Sequence, residues 1–509
     1  MRNWSNTVFQ AFFKQRYKLI ERYIEHPRET QEEVLFRLLK SAKYTEYGKL
    51  YNFAGIQSPA EYAAQVPLGD YNHFYPYIRR MMYGEKDILW DGRVSQFAKS
   101  SGTTTGKSKF IPLPRRNIKQ AHFRSSWEAL TLLYHNRPEA KIFGTKNMLI
   151  GGSLEKFSQY PRTEYGDVSA FLIRSMPNVA RPFFALDFET ALMSEWEEKL
   201  EKIAQAGIKE DNVSMMGGVP TWTIVLFKRM LELSGKSNML EIWPNFQVFM
   251  HGGVSFKPYR SQFEEFFPSD QVSFQEIYNA SEGYFAAQSD FSDEGLLLFL
   301  NNGMYFEFIP MNEWGSPDAK AVPVWEVEKG VNYAMIITTN AGLWRYQLGD
   351  TVTFTSTYPY KIKITGRTKQ FVNAFGEEVM VENTDQALAT ACQKMGAQVS
   401  EYTVAPFYFG QGQENGGHEW LIEFKRPPND LDAFQKLLDE ELQKINSDYE
   451  AKRYKNIALQ NLIIRSLPEH SFHDWLRSKG KFGGQNKVPR LSNHRKVVEE
   501  LLDFLGERV

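Results

Sequence analysis

Between Ile142 and Gln370 the chain alternates two hydrophobic patterns, and that alternation limits the fold more than any other feature. β-Rich runs such as Lys146-Asn-Met-Leu-Ile150 and Tyr333-Ala-Met-Ile-Ile-Thr338 are separated by helical stretches such as Trp196 to Ala206 and Thr223 to Leu233. Strands and one-sided helices each need a partner layer, and alternating along a chain they predict an α/β domain. After Gly366 the pattern becomes a compact set: strand Tyr402 to Phe409, strand Trp420 to Phe424, helix Leu431 to Ile445, strand Ile457 to Ile464 and a final helix from Asn493. The expected fold class is α/β, with a large N-terminal domain and a smaller C-terminal α+β domain. Two units also suit 509 residues, since single cores stop growing at roughly 250–300 residues.

The first sixty residues read as helical cover for the larger core. Thr30 followed by Glu33 has the form of a capping box, and Val34, Leu35, Leu38 and Leu39 follow at helical spacing. Sixty Lys and Arg balance sixty-one Asp and Glu, so no bulk field draws the chain to nucleic acid or an anionic membrane, and small-molecule chemistry is expected. The single cysteine, Cys392, cannot form an intramolecular disulfide or a Cys-based metal cage. Met1 to Lys18 lacks the apolar core and cleavage site of a signal peptide. The densest apolar run, Leu296 to Leu300, is too short to span a bilayer. A cytoplasmic location is the expectation.

The chemistry begins at Lys99-Ser-Ser-Gly-Thr-Thr-Thr-Gly-Lys-Ser-Lys109. Gly102 and Gly106 allow tight turns that converge backbone N–H groups on phosphate oxygens, the hydroxyls add donors, and Lys107 and Lys109 add charge. The loop suits a polyphosphate. It is not a Walker-A loop, which needs four residues between its glycines where this chain has three. The glycines at Gly410, Gly412 and Gly416 have the wrong spacing for a dinucleotide fingerprint and fall between two strands, as a hairpin turn does.

Three further stretches follow: His251-Gly-Gly-Val254, Tyr278-Asn-Ala-Ser-Glu-Gly283, and Trp344-Arg-Tyr-Gln-Leu-Gly-Asp350 with Ile364-Thr-Gly-Arg-Thr-Lys-Gln-Phe-Val372 after it. In this order behind the Ser/Thr/Gly loop they resemble the motif series of the adenylate-forming superfamily of acyl-CoA synthetases, luciferases and peptide-synthetase adenylation domains. Phe97-Ala-Lys-Ser-Ser-Gly-Thr-Thr104, Asn446-Ser-Asp-Tyr-Glu-Ala-Lys-Arg453 and Gln485-Asn-Lys-Val-Pro-Arg490 are similar to the auxin-responsive acyl-acid-amido synthetases, in the shorter bacterial form. The likeness runs from about Tyr71 to Arg490.

The resemblance implies ATP and Mg²⁺ as cofactors, a carboxylic acid activated as acyl-AMP, and transfer to an amine, expected to be that of an amino acid. Neither nucleic acid nor membrane is an expected partner. Ser100, Ser101, Thr103 and Thr104 would lie over the phosphates, Gly252 and Gly253 beside adenine, and Tyr278 stacked on it, with Ser281 also at the nucleotide. Glu282 would hold Mg²⁺, Asp350 the ribose hydroxyls, and Arg367 ribose or phosphate. Lys369 would be the hinge residue, in a hinge at 367–370 between an adenylation domain at 1–366 and a mobile lid domain at 371–509. Lys487 would be the catalytic lysine of adenylation, reaching in from a glycine-rich, exposed-looking loop. The residue chemistry agrees: one carboxylate can accept both ribose hydroxyls, and a hard cation prefers a carboxylate with phosphate oxygens and water. After Gly366 the chain reads Gly-Arg-x-Lys, as acyl-CoA ligases do, so a thioester-forming ligase is the alternative. His251 is the most tempting base for the amine and equally suits structural packing. The acyl pocket is expected between Val213 to Trp222 and His251 to Gly253, its Met and Trp residues suiting an apolar or aromatic acid.

Overall fold

The computed structural model describes residues 2–100, 109–316, 318–368, 371–372, 377, 379–408, 416–446, 449–450, 453, 459–480, 487–492 and 494–506. The loop residues Ser101, Thr103 and Thr104 and the hinge residue Lys369 lie outside these.

Two helices, Arg2–Glu25 and Pro27–Ala42, open the chain. Thr30 does not cap the second. That helix starts earlier, with Pro27 in its first turn and His26 as N-cap, and Thr30 is buried inside it. Proline fits the first turn, where its missing N–H is no loss, so it moves the start ahead of the Ser/Thr signal.

One eleven-stranded sheet dominates the molecule. From edge to edge its strands are Val322–Pro323, Met304–Pro310, Asn332–Thr339, Tyr346–Thr357, Tyr360–Arg367, Leu296–Leu298, Gly283–Gln288, Ser273–Ala280, Val248–His251, Val213–Gly218 and Lys146–Leu149. The last four pair in parallel, and from Ser273–Ala280 onward the pairing is antiparallel. The helices Trp196–Lys209, Pro220–Ser234 and Arg260–Phe266 connect the parallel strands, as parallel pairing requires. One core packs around these helices, with Phe227, Trp243, Phe249 and Phe263 at its centre. A larger one runs beneath the N-terminal helices. A separate four-stranded sheet, Lys109–Pro112, Gln96–Ser100, Glu164–Gly166 and Leu154–Lys156, holds both ends of the Ser/Thr/Gly loop, with Ser100 opposite Lys109.

The C-terminal part has its own cores. Strands Gln398–Tyr408 and Gly416–Arg426 pair antiparallel, Ile463–Leu467 adds in parallel, and the helices Val381–Met395 and Leu431–Ile445 pack together. Among the described residues the third strand runs Ile463–Leu467, with Glu419 opposite Ile463, and Ile457, where the sequence pattern starts it, lies outside the described residues. The last helix is Lys496–Leu505. The fold is thus mixed α/β with a large N-terminal and a smaller C-terminal domain. Among the described residues no helix is long and apolar enough to cross a membrane.

Candidate active site

In parallel sheets ligands settle at the carboxyl ends of the strands. Here Gly217 and Gly218, His251 and Gly252, and Tyr278 to Glu282 emerge there, and all line one cavity of about 1750 Å³. Asp350 and Arg367 face each other across neighbouring strands. Arg367 Nε lies 3.0 Å from Asp350 Oδ1, and Tyr278 donates its hydroxyl to Asp350 Oδ2 at 2.7 Å. An ionised carboxylate has about four lone-pair sites, so Asp350 keeps acceptor capacity towards the cavity.

Lys487 enters from the C-terminal domain. Its ammonium donates to the carbonyl oxygen of Gly253 at 2.5 Å. Gly253 sits at φ +86°, a backbone conformation that favours glycine, and a Cβ there would come within 2.9 Å of the movable end of Lys487. Gly252 is more tightly enclosed, with Ile277's backbone carbonyl oxygen 2.4 Å from where its Cβ would be. Burial, with the charge of Arg367 beside it, pushes the Lys487 ammonium down to about 8. The lysine is half-buried rather than exposed. Arg490 bonds the hydroxyl of Tyr259 at 2.6 Å and Gln262 bonds the carbonyl of Val399 at 3.1 Å, tying the C-terminal strands to the large domain.

Glu282 is 6% exposed. Burial raises its carboxyl pKa while Lys109 pulls it down. A cation beside it would relieve the desolvation of that carboxylate. The described residues contain no group of three metal-ligating side chains, so Mg²⁺ there would take its remaining ligands from phosphate and water, as that ion prefers. Ser100 and Ser281 also line the cavity.

His251 is buried on the cavity wall. Its ring stacks on Phe256 at 4.0 Å between centroids, and burial with Arg260 nearby pushes it down to about 3. Cys392 borders the same cavity with its thiol pushed up to about 12 by burial, the opposite direction from a reactive thiolate. Glu276, on the cavity wall beside Lys257 and Lys363, is raised to about 7 by burial and by Glu294. A carboxylate titrating there suits acid–base work, and no motif marks it in the sequence.

Away from the nucleotide motifs the cavity turns apolar. Met215 and Trp222 line it as the sequence suggests, whereas Val213 and Met216 point into the core behind. More of the wall comes from Phe123, Trp127, Leu130 and Phe143. The first three recur at helical intervals of four and three along the segment Ile118–Asn136, and no motif marks them in the sequence. Trp344-Arg-Tyr, inside one of the motifs, faces elsewhere: Arg345 pairs with the buried Glu307 at 2.9 Å and donates to the carbonyls of Ala63 and Val66.

Family models agree with this architecture. The one described as GH3 family N-terminal domain matches residues 16–192 and 162–272, the central domain matches 297–367 and the C-terminal domain 382–496. The indole-3-acetic acid-amido synthetase GH3.3 of Arabidopsis thaliana is 24% identical, over 96% of this chain and 93% of its own length. The solved structure of the GH3.15 acyl acid amido synthetase superposes with a TM-score of 0.77 at 18% identity, over 96% of this chain and 95% of that one. A 2-hydroxyisobutyryl-CoA ligase superposes with a TM-score of 0.59 at 13% identity, over 93% and 92%. Fold and family matches together define an adenylate-forming, amide-making ligase, which uses ATP to activate a carboxylic acid as acyl-AMP and then passes the acyl group to an amine. Within that class the chain belongs to the GH3 family.

Proposed function

We propose that this chain couples an acid with an apolar or aromatic body to an amino acid, using ATP with Mg²⁺, in the cytoplasm. The observation that carries the reading is the convergence of Lys487, Gly253, Arg367, Asp350 and Tyr278 at one end of a cavity whose other end is apolar. In this reading Asp350 accepts the ribose hydroxyls, Gly252, Gly253 and Tyr278 enclose adenine, and Ser100, Ser101, Thr103, Thr104 and Ser281 donate to the phosphates. Glu282 holds Mg²⁺, which supplies charge neutralisation at the phosphates when bound.

The acid's carboxylate oxygen attacks the α-phosphorus as the bond to pyrophosphate breaks. Lys487 and Arg367 face the charge that gathers there, and preorganised donors in a water-poor site stabilise it strongly. In the second step the amine nitrogen attacks the acyl carbonyl, AMP leaves, and the amine gives up its proton. The domains would divide at 1–366 and 371–509, with a hinge at 367–370 including Lys369 that lets Lys487 withdraw between steps, because one site must first hold pyrophosphate and then admit the amine.

The test is product analysis. With ATP, Mg²⁺ and a panel of carboxylic acids, AMP release should depend on an added amino acid and yield an amide. Release driven by CoA instead, with a thioester as product, would favour the alternative reading.

A further inference from the structure

The apolar end of the cavity has a second row of aromatic rings behind it, supplied by the N-terminal helix Arg2–Glu25. Phe9 stacks on Phe143 at 3.9 Å between centroids, meets Phe183 edge-on at 5.8 Å and lies parallel to Trp127 at 6.3 Å. Those three rings line the cavity and Phe9 does not. Phe13, one helical turn on, backs Trp127 and Phe143 at 5.7 Å each.

The helix is held in place by polar contacts on both sides of this stack. Buried Asn6 donates to the carbonyl of Ala140 at 2.9 Å and accepts from the hydroxyl of Tyr134 at 2.8 Å and from the backbone N–H of Phe143 at 3.3 Å. Arg16 lies 3.7 Å from Glu128, which is buried one residue beyond Trp127. The position of Phe143 therefore depends on the N-terminal helix through both its backbone and its ring.

We propose that the N-terminal helix, acting through Phe9, sets the depth of the acyl-binding end and hence which acids are activated. Phe9 touches no substrate in this account; it is a positioning residue. Close-packed rings transmit a missing neighbour as movement or as a void. Without Phe9, Phe143 and Trp127 can tilt back and the acyl end deepens. The inference rests on the assignment of the apolar end to the acid.

The test is ATP–pyrophosphate exchange by the full chain and its Phe9→Ala and Phe9→Leu variants, across phenylalkanoic acids of increasing chain length. One methylene in an apolar pocket is worth about tenfold or more in kcat/KM. Phe9→Ala should therefore move the ratio of longer to shorter acids by about tenfold towards the longer, with Phe9→Leu between it and the parent and the KM for ATP unchanged. A parallel loss across all acids, with their rank order kept, would overturn the proposal and leave Phe9 a residue of stability alone. Should the parent chain exchange pyrophosphate with none of the acids, the acyl assignment itself falls, and this inference with it.

Discussion

In the proposed reading, recognition at the nucleotide end of the cavity is built from charges and backbone. At the acyl end it is built from ring shape. Tyr278, Asp350 and Arg367 come from strands of one sheet and Glu282 from the turn joining two of them, and Asp350 faces Arg367 in register. Phe123 and Trp127 share one helical segment, Phe143 lies in the short turn Ile142–Gly144 and Trp222 in the helix Pro220–Ser234, and all four line the cavity. The first end is therefore intolerant of change, because an unpaired buried charge costs more than a lost contact. The second can be re-shaped, because ring for ring the apolar transfer energy is retained.

That difference is open to attack at either end. The largest effect is expected from Lys487→Ala, which removes a preorganised charge from the adenylation step and should slow acid-dependent pyrophosphate exchange by about 10²–10³. The same lysine should impose a pH limit. Its ammonium is held at about 8, so it is charged below that pH and loses its proton above. In the parent, kcat/KM for ATP should fall as pH rises through about 8, since this ratio reports the free enzyme. In Lys487→Ala that limb should vanish, and an unchanged limb would assign it elsewhere.

Asp350→Ala should weaken ATP use next most, by about 1–3 kcal/mol, because the ribose hydroxyls, Arg367 and Tyr278 all lose an acceptor. Unaltered ATP affinity and turnover would take Asp350 out of the site. At the acyl end, Trp127→Ala should shift acid preference by about tenfold while leaving the KM for ATP in place. A change in ATP affinity of the same size would abolish the distinction between the two ends. The smallest effect is expected from Glu282→Gln, which should raise the Mg²⁺ concentration for half-maximal exchange, an amide being the poorer ligand for a hard cation. A superimposable titration would remove the metal from Glu282.

The same contrast explains what was legible in the sequence. The proposed nucleotide end is the easier to find in the sequence because its chemistry demands particular residue types in short segments: a glycine at 252, where a Cβ would meet a backbone carbonyl, another at 253 with positive φ, and an acid and a base at 350 and 367 on adjacent strands. The acyl end does not, because Phe143 and Trp127 look like core residues until tertiary packing leaves one face of each open to a cavity. The stacking of Phe256 on the His251 ring was not legible either, since that contact is made only in the fold. Helix interiors were legible and helix starts less so, as Pro27 took precedence over Thr30. Glu276 carries no motif, because its raised pKa comes from burial and from Glu294, a neighbour only in the fold.

The account's central claim is that the charges at the nucleotide end, Lys487 foremost, serve the making of the acyl-adenylate and not its use. The most direct measurement supplies Lys487→Ala with a synthetic acyl-adenylate and an amine, so that the first step is bypassed, and follows amide formation. The expected rate is close to that of the parent chain, although the same variant has lost pyrophosphate exchange. A loss of amide formation as large as the loss of exchange would contradict it.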